Sequence, residues 1–305
     1  MKKNTCIIIC GPTASGKTDI AVEIARHFKT QIISADSRQC FKELNIGVAK
    51  PSGEQLHFVK HYFINSHSIT EEVNAVVFEK YAIKAVETIF ENNTVAVICG
   101  GSGLYIDAFC NGFDEIEEVD TSIKIEILQK YLSLGITWLQ DTIKLEDPLF
   151  FEKGEIKNPH RMIRALEVIR GTGNSILFYQ QKQRKERDFN IIKIGIDIDR
   201  ELLYKRINQR VDLMIKFGLE KEVRSLVEFK NLNALQTVGY NEFYDFFDNK
   251  IPLYRAAELI KQNTRHYAKR QLTWFKKDQT IKWLSSNFIM QKLAKGNLLS
   301  HLISI

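Results

Sequence analysis

The sequence predicts an α/β fold, in which helices flank a parallel sheet and a helical insertion domain interrupts the core. Over the first hundred residues, near-continuous apolar runs that are typical of strands buried on both faces alternate with helical patterns. Strand patterns then vanish from about residue 113 to 190, and an apolar run returns at Ile191–Ile198. The chain after Arg200 has mostly helical patterns. We therefore expect a core of residues 1–112 and 191–305 and an insertion of residues 113–190.

The first strand and the first helix enclose a glycine-rich loop. Cys6–Cys10 reads as a buried strand, Asp19–Phe28 reads as an amphipathic helix, and "GPTASGKT" between them fits the pattern G-x-x-x-x-G-K-[ST]. In this setting, backbone N–H groups and the helix N-terminus attract an anion. The core is therefore expected to be P-loop NTPase-like, and the hydroxyl of Thr18 suits Mg²⁺. The predicted phosphate-binding residues are Gly11, Pro12, Thr13, Ala14, Ser15, Gly16, Lys17 and Thr18.

The next elements are a strand at Gln31–Asp36, a long helix at Thr70–Asn93 and a strand at Thr94–Gly101. A phosphotransferase with such a loop usually has an apolar strand that ends in an acid, but here the third strand ends in glycines. The acid ends the second strand instead, as Asp36, and a parallel sheet binds its ligands at such strand ends. Asp36 taken alone also fits a turn or a helix cap.

Composition excludes several classes of protein. No apolar run approaches the roughly 20 residues of a membrane span, and the apolar run near the start is too short for a signal peptide. The five cysteines have no metal-binding or redox spacing, so we expect buried, reduced thiols in a cytoplasmic protein. We also expect the protein to act as a monomer. The net charge of +6 permits a polyanionic partner.

Seven blocks of the sequence, taken in order, resemble the signature segments of the bacterial tRNA dimethylallyltransferases, also called tRNA isopentenyltransferases or the IPP transferase family. The resemblance runs from about residue 5 to about residue 285. The blocks are "GPTASGKT", "ISADSRQ", "NIGVAKP", "VICGGSGLY", "NPHRMIRALEV", "QTVGY" and "YAKRQLTWFKK".

This resemblance implies transfer of a dimethylallyl group from dimethylallyl diphosphate to N6 of the adenine immediately 3′ of the anticodon, in tRNAs that read UNN codons. Asp36 matches the position that accepts the N6 proton, and general-base help of this kind is typically worth a factor of about 10² to 10⁴. Lys17, the loop amides and Mg²⁺ on Thr18 would stabilise the leaving diphosphate. Arg210 matches an arginine that reaches the same diphosphate, although a solvated helix face would also explain it.

The resemblance also implies that the insertion grips the anticodon stem and that the target adenine is flipped into a channel through the core. The residues that match tRNA-binding segments are Asp36, Ser37, Arg38, Gln39, Ser102, His160, Arg161, Met162, Ile163, Arg164, Gln236, Thr237, Val238, Gly239, Tyr240, Asn241, Lys261, Arg265, Lys269, Arg270, Gln271, Trp274 and Lys276. Gln236 and Asn241 stand where some relatives carry basic residues.

Basic residues cluster in two places. Lys261, Arg265 and Lys269 recur every four residues and so share one helix face. Like charges at this spacing destabilise an isolated helix, which favours a phosphate partner, although a solvated face is the alternative. A second cluster, "KQRKER", occupies residues 182–187.

Three other functions remain open at this point. The loop alone would suit a kinase of small metabolites, although the third strand lacks the expected acid. A related enzyme could prenylate free adenine nucleotides. A protein that binds RNA and uses nucleotide only as a switch would need no Asp36 beside the loop.

Overall fold

A six-stranded, all-parallel sheet forms the centre of the computed structural model, which describes residues 4–112, 116–117, 119–179 and 185–303. The strands are β1 Thr5–Cys10, β2 Ile32–Ala35, β3 His61–Tyr62, β4 Val95–Gly100, β5 Asn190–Asp197 and β6 Ile281–Ser285. Their order across the sheet is β3-β2-β4-β1-β5-β6. The predicted α/β fold is confirmed.

Helices cover the sheet, and they are the secondary structure of the described part of a second unit, residues 111–185. They are α1 Lys17–His27, α2 Gly53–Phe58, α3 Ala75–Phe90, α4 Gly103–Asn111, α5 Thr121–Glu146, α6 Pro148–Lys153, α7 Pro159–Thr172, α8 Arg200–Lys216, α9 Leu219–Ser225, α10 Asn241–Phe247, α11 Leu253–Phe275, α12 Ser286–Ala294 and α13 Leu298–Ile303. Among the described residues, no helix is long and apolar enough to cross a bilayer.

The central strands are apolar because both of their faces are covered. Every residue of β1 and β4 is buried, and Ile7 of β1 lies opposite Val97 of β4 and Ile192 of β5. On one side of the sheet Ile24 of α1 packs into the same core as Ile7 and Val97. This packing holds the turn between β1 and α1 on a rigid base.

One predicted element differs from the structure, and two strands of the sheet were not predicted. The long helix begins at Ala75 and not at Thr70, because the side chain of Asn74 accepts hydrogen bonds from Val76 N and Val77 N and so caps it. Strands β3 and β6 were not predicted. β3 has only two residues, and β6 is partly exposed at the sheet edge, so neither has the continuous apolar pattern of a central strand.

The chain forms two compact units, residues 1–110 with 186–305 and residues 111–185. Arg187, which the sequence assigned to a basic cluster of the insertion, belongs to the first unit. Its guanidinium forms a buried ion pair with Glu79 at 2.8 Å and donates to the carbonyl oxygen of Phe109 at 2.9 Å. Arg187 is therefore neutralised inside the core. Lys182, Gln183 and Arg184 of the same cluster lie outside the described residues.

The second unit is helical. Its core contains Ile127, Leu139 and Ile143 of α5, Phe150 of α6, and Met162, Ala165 and Leu166 of α7. Helix α5 is kinked at Gly135, where the backbone has φ 76° and ψ −167°, a conformation that glycine adopts without a steric penalty. The apolar spacing of α7 therefore serves this small core, with the polar positions left at its surface.

All five cysteines, Cys6, Cys10, Cys40, Cys99 and Cys110, are buried and free. Burial raises the pKa of the Cys99 thiol to about 11 and that of Cys10 to about 12, so both remain protonated at neutral pH.

Candidate active site

The loop between β1 and α1 has the backbone geometry of an anion cradle. Gly11, Ala14 and Gly16 all have positive φ, at 139°, 63° and 89°, which turns successive amides toward one centre. The Lys17 ammonium folds over the loop and donates to the carbonyl oxygen of Pro12 at 2.6 Å. The hydroxyl of Ser15 is buried without a hydrogen-bond partner in the described structure. Buried polar atoms usually have partners, and an oxygen of a bound phosphate would supply one.

A cavity of about 550 Å³ opens beside this loop, and cations line it. Lys17, Lys50 and Arg210 all face it. Arg210 reaches from α8 to the loop, where it donates to the Thr13 hydroxyl at 3.3 Å. Burial lowers the pKa of both Lys17 and Arg210, because neither charge is fully hydrated. Poorly hydrated cations around a phosphate loop attract an anion, and Arg210 is not part of a solvated face.

Asp36 lies at the same cavity, immediately after β2. Its Oδ1 accepts hydrogen bonds from the backbone N–H groups of Arg38 at 2.9 Å and Gln39 at 3.3 Å. No donor among the described residues reaches its Oδ2. Asp36 is therefore a turn residue through Oδ1, and its Oδ2 remains available to accept a proton.

A second cavity, of about 370 Å³, adjoins the first. Its wall includes Arg38, Gln236, Asn241 and Arg270. Six residues line both cavities, namely Thr13, Asp36, Val48, Ala49, Arg210 and Tyr267. Asp36 thus stands at the boundary between the cationic phosphate cavity and its neighbour.

The end of β4 approaches the Asp36 turn so closely that it has no room for side chains. A Cβ on Gly100 would lie 2.0 Å from the carbonyl oxygen of Ala35. Ser102 follows, and its hydroxyl accepts from Ser37 N at 3.0 Å. Ser102, a predicted tRNA contact, thus holds the turn that carries Asp36.

Helix α11 has two faces with different partners. Gln271 is only 7% exposed, accepts from Thr13 N at 2.8 Å and donates to the carbonyl oxygen of Gly101 at 2.9 Å. Tyr267, one turn earlier, faces both cavities, and burial together with the nearby Asp36 charge raises its pKa to about 12. Next to this face is an exposed outer face, where a cavity of about 230 Å³ is surrounded by Lys269, Arg270, Thr273, Trp274 and Lys277. Arg270 also lines the second cavity.

Lys261, the first residue of the predicted basic stripe, is paired with carboxylates in the structure. Its ammonium lies 2.8 Å from Asp212 of α8 and 2.9 Å from Glu258 of α11, so two carboxylates neutralise it. Arg265 donates to the side-chain oxygen of Asn208 at 2.7 Å. Of the three residues in the stripe, Lys269 alone is exposed. The sequence spacing could not reveal this, because Asp212 and Asn208 belong to another helix.

The other residues assigned to tRNA binding are of three kinds: buried, paired with a carboxylate, or exposed. The side chains of Met162 and Tyr240 are completely buried, and Gln271 serves the phosphate loop. Ile163 packs partly against the core of the second unit. Arg161 and Arg164 pair with Glu155 and Glu167. The exposed residues of the predicted set include His160, Gln236, Asn241, Lys269, Arg270, Trp274 and Lys276.

The residues of the site that were not predicted include Lys50 and Tyr267. The spacing of Tyr267 could have identified it, since it lies four residues before Gln271 and so shares its face of α11. Lys50 donates to the carbonyl oxygen of Phe41 at 2.7 Å and thereby closes the loop that lines the cavities. No local signal distinguishes it from other lysines.

Known proteins are similar to this chain both in sequence and in fold. The family model described as IPP transferase matches residues 39–278. The chain is 48% identical over 280 residues to the tRNA dimethylallyltransferase of Christiangramia forsetii, covering 92% of this chain and 93% of that protein. It is 42% identical over 304 residues to tRNA dimethylallyltransferase 1 of Bacteroides thetaiotaomicron, covering 99% and 98%.

A solved structure agrees with these relatives. The crystal structure of a tRNA delta(2)-isopentenylpyrophosphate transferase from Staphylococcus epidermidis matches with a TM-score of 0.69 and 32% identity, covering 98% of this chain and 99% of that one. The family model begins after the phosphate loop and Asp36, but the match to the Bacteroides thetaiotaomicron protein covers 99% of this chain and so includes both. With a family model that covers most of its length and relatives that cover nearly all of it, this chain belongs to the IPP transferase family.

Proposed function

We propose that the protein transfers a dimethylallyl group from dimethylallyl diphosphate to N6 of the adenine immediately 3′ of the anticodon, in tRNAs that read UNN codons, and releases diphosphate. Asp36 carries this proposal, because its carboxylate lines both cavities. A base in that position has a phosphate-binding cavity on one side and an opening suited to an acceptor on the other. The names of the relatives, which act on tRNA, support the same reaction.

The phosphate loop binds the donor. Its amides, the Lys17 ammonium and the Arg210 guanidinium surround the diphosphate in a cavity where water is partly excluded. As the carbon–oxygen bond of the donor breaks, its electron pair moves onto the diphosphate. Preorganised donors stabilise such developing charge more than water does.

Asp36 acts as the general base. The exocyclic N6 amine is a weak nucleophile because its lone pair is delocalised into the ring. As N6 forms its bond to the allylic carbon, its proton passes to Oδ2 of Asp36. Oδ1 is held by two backbone N–H groups, so the carboxylate keeps one orientation during the transfer.

We propose Mg²⁺ as the metal, and the donor set at the cavity fits it. The Thr18 hydroxyl and the carboxylate of Asp19 line the same cavity, and Mg²⁺ prefers oxygen ligands. Among the described residues there is no group of three or more His, Cys, Asp and Glu side chains that could hold a metal. Diphosphate and water would therefore supply most of the ligands, and bound Mg²⁺ neutralises part of the charge of the leaving diphosphate.

The acceptor reaches Asp36 through the second cavity. We infer that the target base is flipped out of the anticodon loop to enter it, because its N6 must approach the carboxylate. Arg38, Gln236, Asn241, Arg270 and the outer face of α11 would contact the surrounding RNA. The second unit, through His160 and the polar positions of α7, would grip the anticodon stem. We place the reaction in the cytoplasm, with the protein acting as a monomer, which sedimentation at working concentration would test.

One assay tests the proposal against the other functions that the phosphate loop permits. Purified protein is given Mg²⁺ and dimethylallyl diphosphate with total tRNA, AMP or ATP, and the nucleosides are identified by mass spectrometry. We expect prenylated adenosine in the tRNA sample and no prenylated product from AMP or ATP. Prenylated AMP or ATP with unmodified tRNA would indicate a nucleotide prenyltransferase instead. Consumption of ATP without prenyl transfer would indicate a kinase or a nucleotide-switched protein.

A further inference from the structure

Two sequence blocks that lie far apart in the chain meet around one carboxylate of the core. Glu222 of α9 accepts hydrogen bonds through Oε2 from Asn45 N at 3.2 Å and Ile46 N at 2.8 Å. Its Oε1 accepts from Gly47 N at 3.0 Å and from the Tyr240 hydroxyl at 2.6 Å. Three successive amides of the "NIGVAKP" block and the tyrosine of the "QTVGY" block therefore bind the same side chain.

Close packing fixes the geometry of this contact. A Cβ on Gly47 would lie 2.5 Å from the ring of Tyr240, so only glycine lets the loop reach the ring. Tyr240 is completely buried, and burial, followed by the charge of Glu222, raises the pKa of its hydroxyl. The hydroxyl therefore remains a hydrogen-bond donor to Glu222 at any working pH.

The same loop continues to the boundary between the two cavities. Val48 and Ala49 line both of them, and Ala49 has a left-handed φ of 48°, which is uncommon for a residue with a Cβ. Such a backbone persists only where its surroundings hold it. Glu222 holds the loop immediately before this position.

A hydrogen-bonded path then links the loop to Asp36. The Gln39 side chain donates to the carbonyl oxygens of Val48 at 3.3 Å and Ala49 at 3.0 Å. The backbone N–H of Gln39 donates to Oδ1 of Asp36 at 3.3 Å. A displacement of the loop would therefore move the residue that orients the carboxylate.

We propose that Glu222 is a positioning residue for the transfer. Through the loop of residues 45–49 and Gln39, it sets the direction of the Asp36 carboxylate and the wall of the acceptor cavity. Its charge is needed because a carboxylate can accept from three amides and a hydroxyl at once, whereas an amide side chain offers one acceptor oxygen and sets an NH₂ group against donors. The inference rests on the proposed role of Asp36.

The first test is Glu222→Gln in the full chain, compared with Glu220→Gln. Glu220 lies on the same helix and pairs with Arg224 at the surface, so it is the matched control. With saturating tRNA and dimethylallyl diphosphate, the single-turnover rate of Glu222→Gln should fall roughly 10- to 100-fold, since small misplacements near a reacting group have effects of that size. Pyrophosphate affinity should stay within about twofold, and Glu220→Gln should match wild type. An unchanged rate in Glu222→Gln would overturn the proposal.

A double-mutant cycle with Asp36→Asn separates positioning from general stability. If Glu222 acts through Asp36, adding Glu222→Gln to Asp36→Asn should cost less than about threefold in rate, because coupled residues are not additive. A full 10- to 100-fold further loss would contradict the inference. If Asp36→Asn alone left the rate unchanged, the proposed base would be wrong, which is a separate outcome.

Tyr240→Phe serves as a second variant, in case Glu222→Gln does not give folded protein. It keeps the ring against Gly47 and removes one of the four hydrogen bonds to the carboxylate. The expected result is a rate lowered roughly three- to tenfold at a temperature well below its unfolding midpoint, and again little further loss in Asp36→Asn. A lowered midpoint with a wild-type rate would make the contact structural and overturn the proposal.

Discussion

At the scale of single residues, the site sets cationic side chains against one carboxylate. Lys17 and Arg210 have pKa values lowered chiefly by burial, and Asp36, which lines the cavity, has one oxygen held by two backbone N–H groups. Unbound, the two cations are partly deprived of water. The negative charge of a bound diphosphate would stabilise both cations, which explains why the loop favours this kind of ligand.

Asp36→Asn should lower the single-turnover rate of transfer by about 10² or more while tRNA affinity stays within a few-fold. The substitution keeps the shape and the Oδ1 acceptor but cannot take up the N6 proton. Rapid-quench measurement with excess enzyme gives this rate directly. A wild-type rate would remove Asp36 from the mechanism.

Lys17 should make pyrophosphate binding sensitive to pH. Because its pKa is lowered, the ammonium loses its proton at a lower pH than an ordinary lysine, so its attraction for the anion declines as pH rises toward that value. The ratio of wild-type affinity to that of Lys17→Met, measured by calorimetry, should fall with rising pH. The comparison cancels the ionisation of pyrophosphate itself. A constant ratio up to the ordinary lysine value of 10.5 would contradict the lowered pKa.

The stability of the unliganded protein has the opposite dependence at this residue. Between the lowered pKa of folded Lys17 and the ordinary value, the unfolded chain binds more protons than the folded one. The contribution of Lys17 to the free energy of unfolding therefore rises as pH rises through that interval.

At the scale of elements, α11 joins the chemistry to the surface. One face places Tyr267 at the cavities and Gln271 on the phosphate loop, while the adjoining outer face exposes Lys269, and Arg270 lies between the two at the second cavity. The helix runs over 23 residues, and regular helical geometry gives the groups along it a defined spacing. We therefore expect RNA contacts on the outer face to be separable from donor binding on the inner face.

Replacing Lys269 and Arg270 with Gln should weaken tRNA binding and make its dependence on salt shallower. Each phosphate contact that is lost should remove roughly 0.7 to 0.9 from the slope of log affinity against log salt concentration. Lys261→Gln is the matched control, since its ammonium is already paired with Asp212 and Glu258. Filter binding at several salt concentrations gives the slopes. Equal slopes in all three proteins would mean that the outer face of α11 is only solvated.

At the scale of the whole molecule, the parallel sheet brings the reacting groups together. The phosphate loop follows β1, the glycines follow β4 and Asp36 follows β2, and these three strands are neighbours in the order β2-β4-β1. Parallel strands end on the same edge, so residues 11, 36 and 101 converge although the sequence separates them. The sheet therefore brings the phosphate loop and the Asp36 carboxylate to one edge by its topology alone.

Transfer should require a divalent cation and no ATP. Removal of metal with EDTA should abolish turnover, added Mg²⁺ should restore it, and Thr18→Ala should raise the Mg²⁺ concentration that gives half-maximal rate, because a hydroxyl ligand beside the leaving group is lost. A dependence of prenyl transfer on ATP hydrolysis would contradict displacement of diphosphate as the reaction. Wild-type Mg²⁺ dependence in Thr18→Ala would remove Thr18 as a ligand.

Local patterns in the chain were sufficient for the phosphate loop and the central strands, and they placed Asp36 at a strand end, whereas its role as a base came from the family resemblance. A glycine loop between a strand and a helix has few alternative structures, and a strand buried on both faces must be apolar along its length, so both signals are contained in short windows. The short or half-buried edge strands β3 and β6 lack that continuous signal, and they were missed for that reason.

Contacts between distant residues decided the rest. Gln271 and Thr13 are 258 positions apart, and Glu222 lies 175 positions from Gly47, so no window of sequence contains either pair. Lys261 has the same local pattern as an RNA-binding lysine, yet Asp212 of another helix neutralises it. Burial and charge pairing depend on which elements pack together. Burial and charge pairing therefore determine which residues stabilise the site and which remain available to bind a substrate.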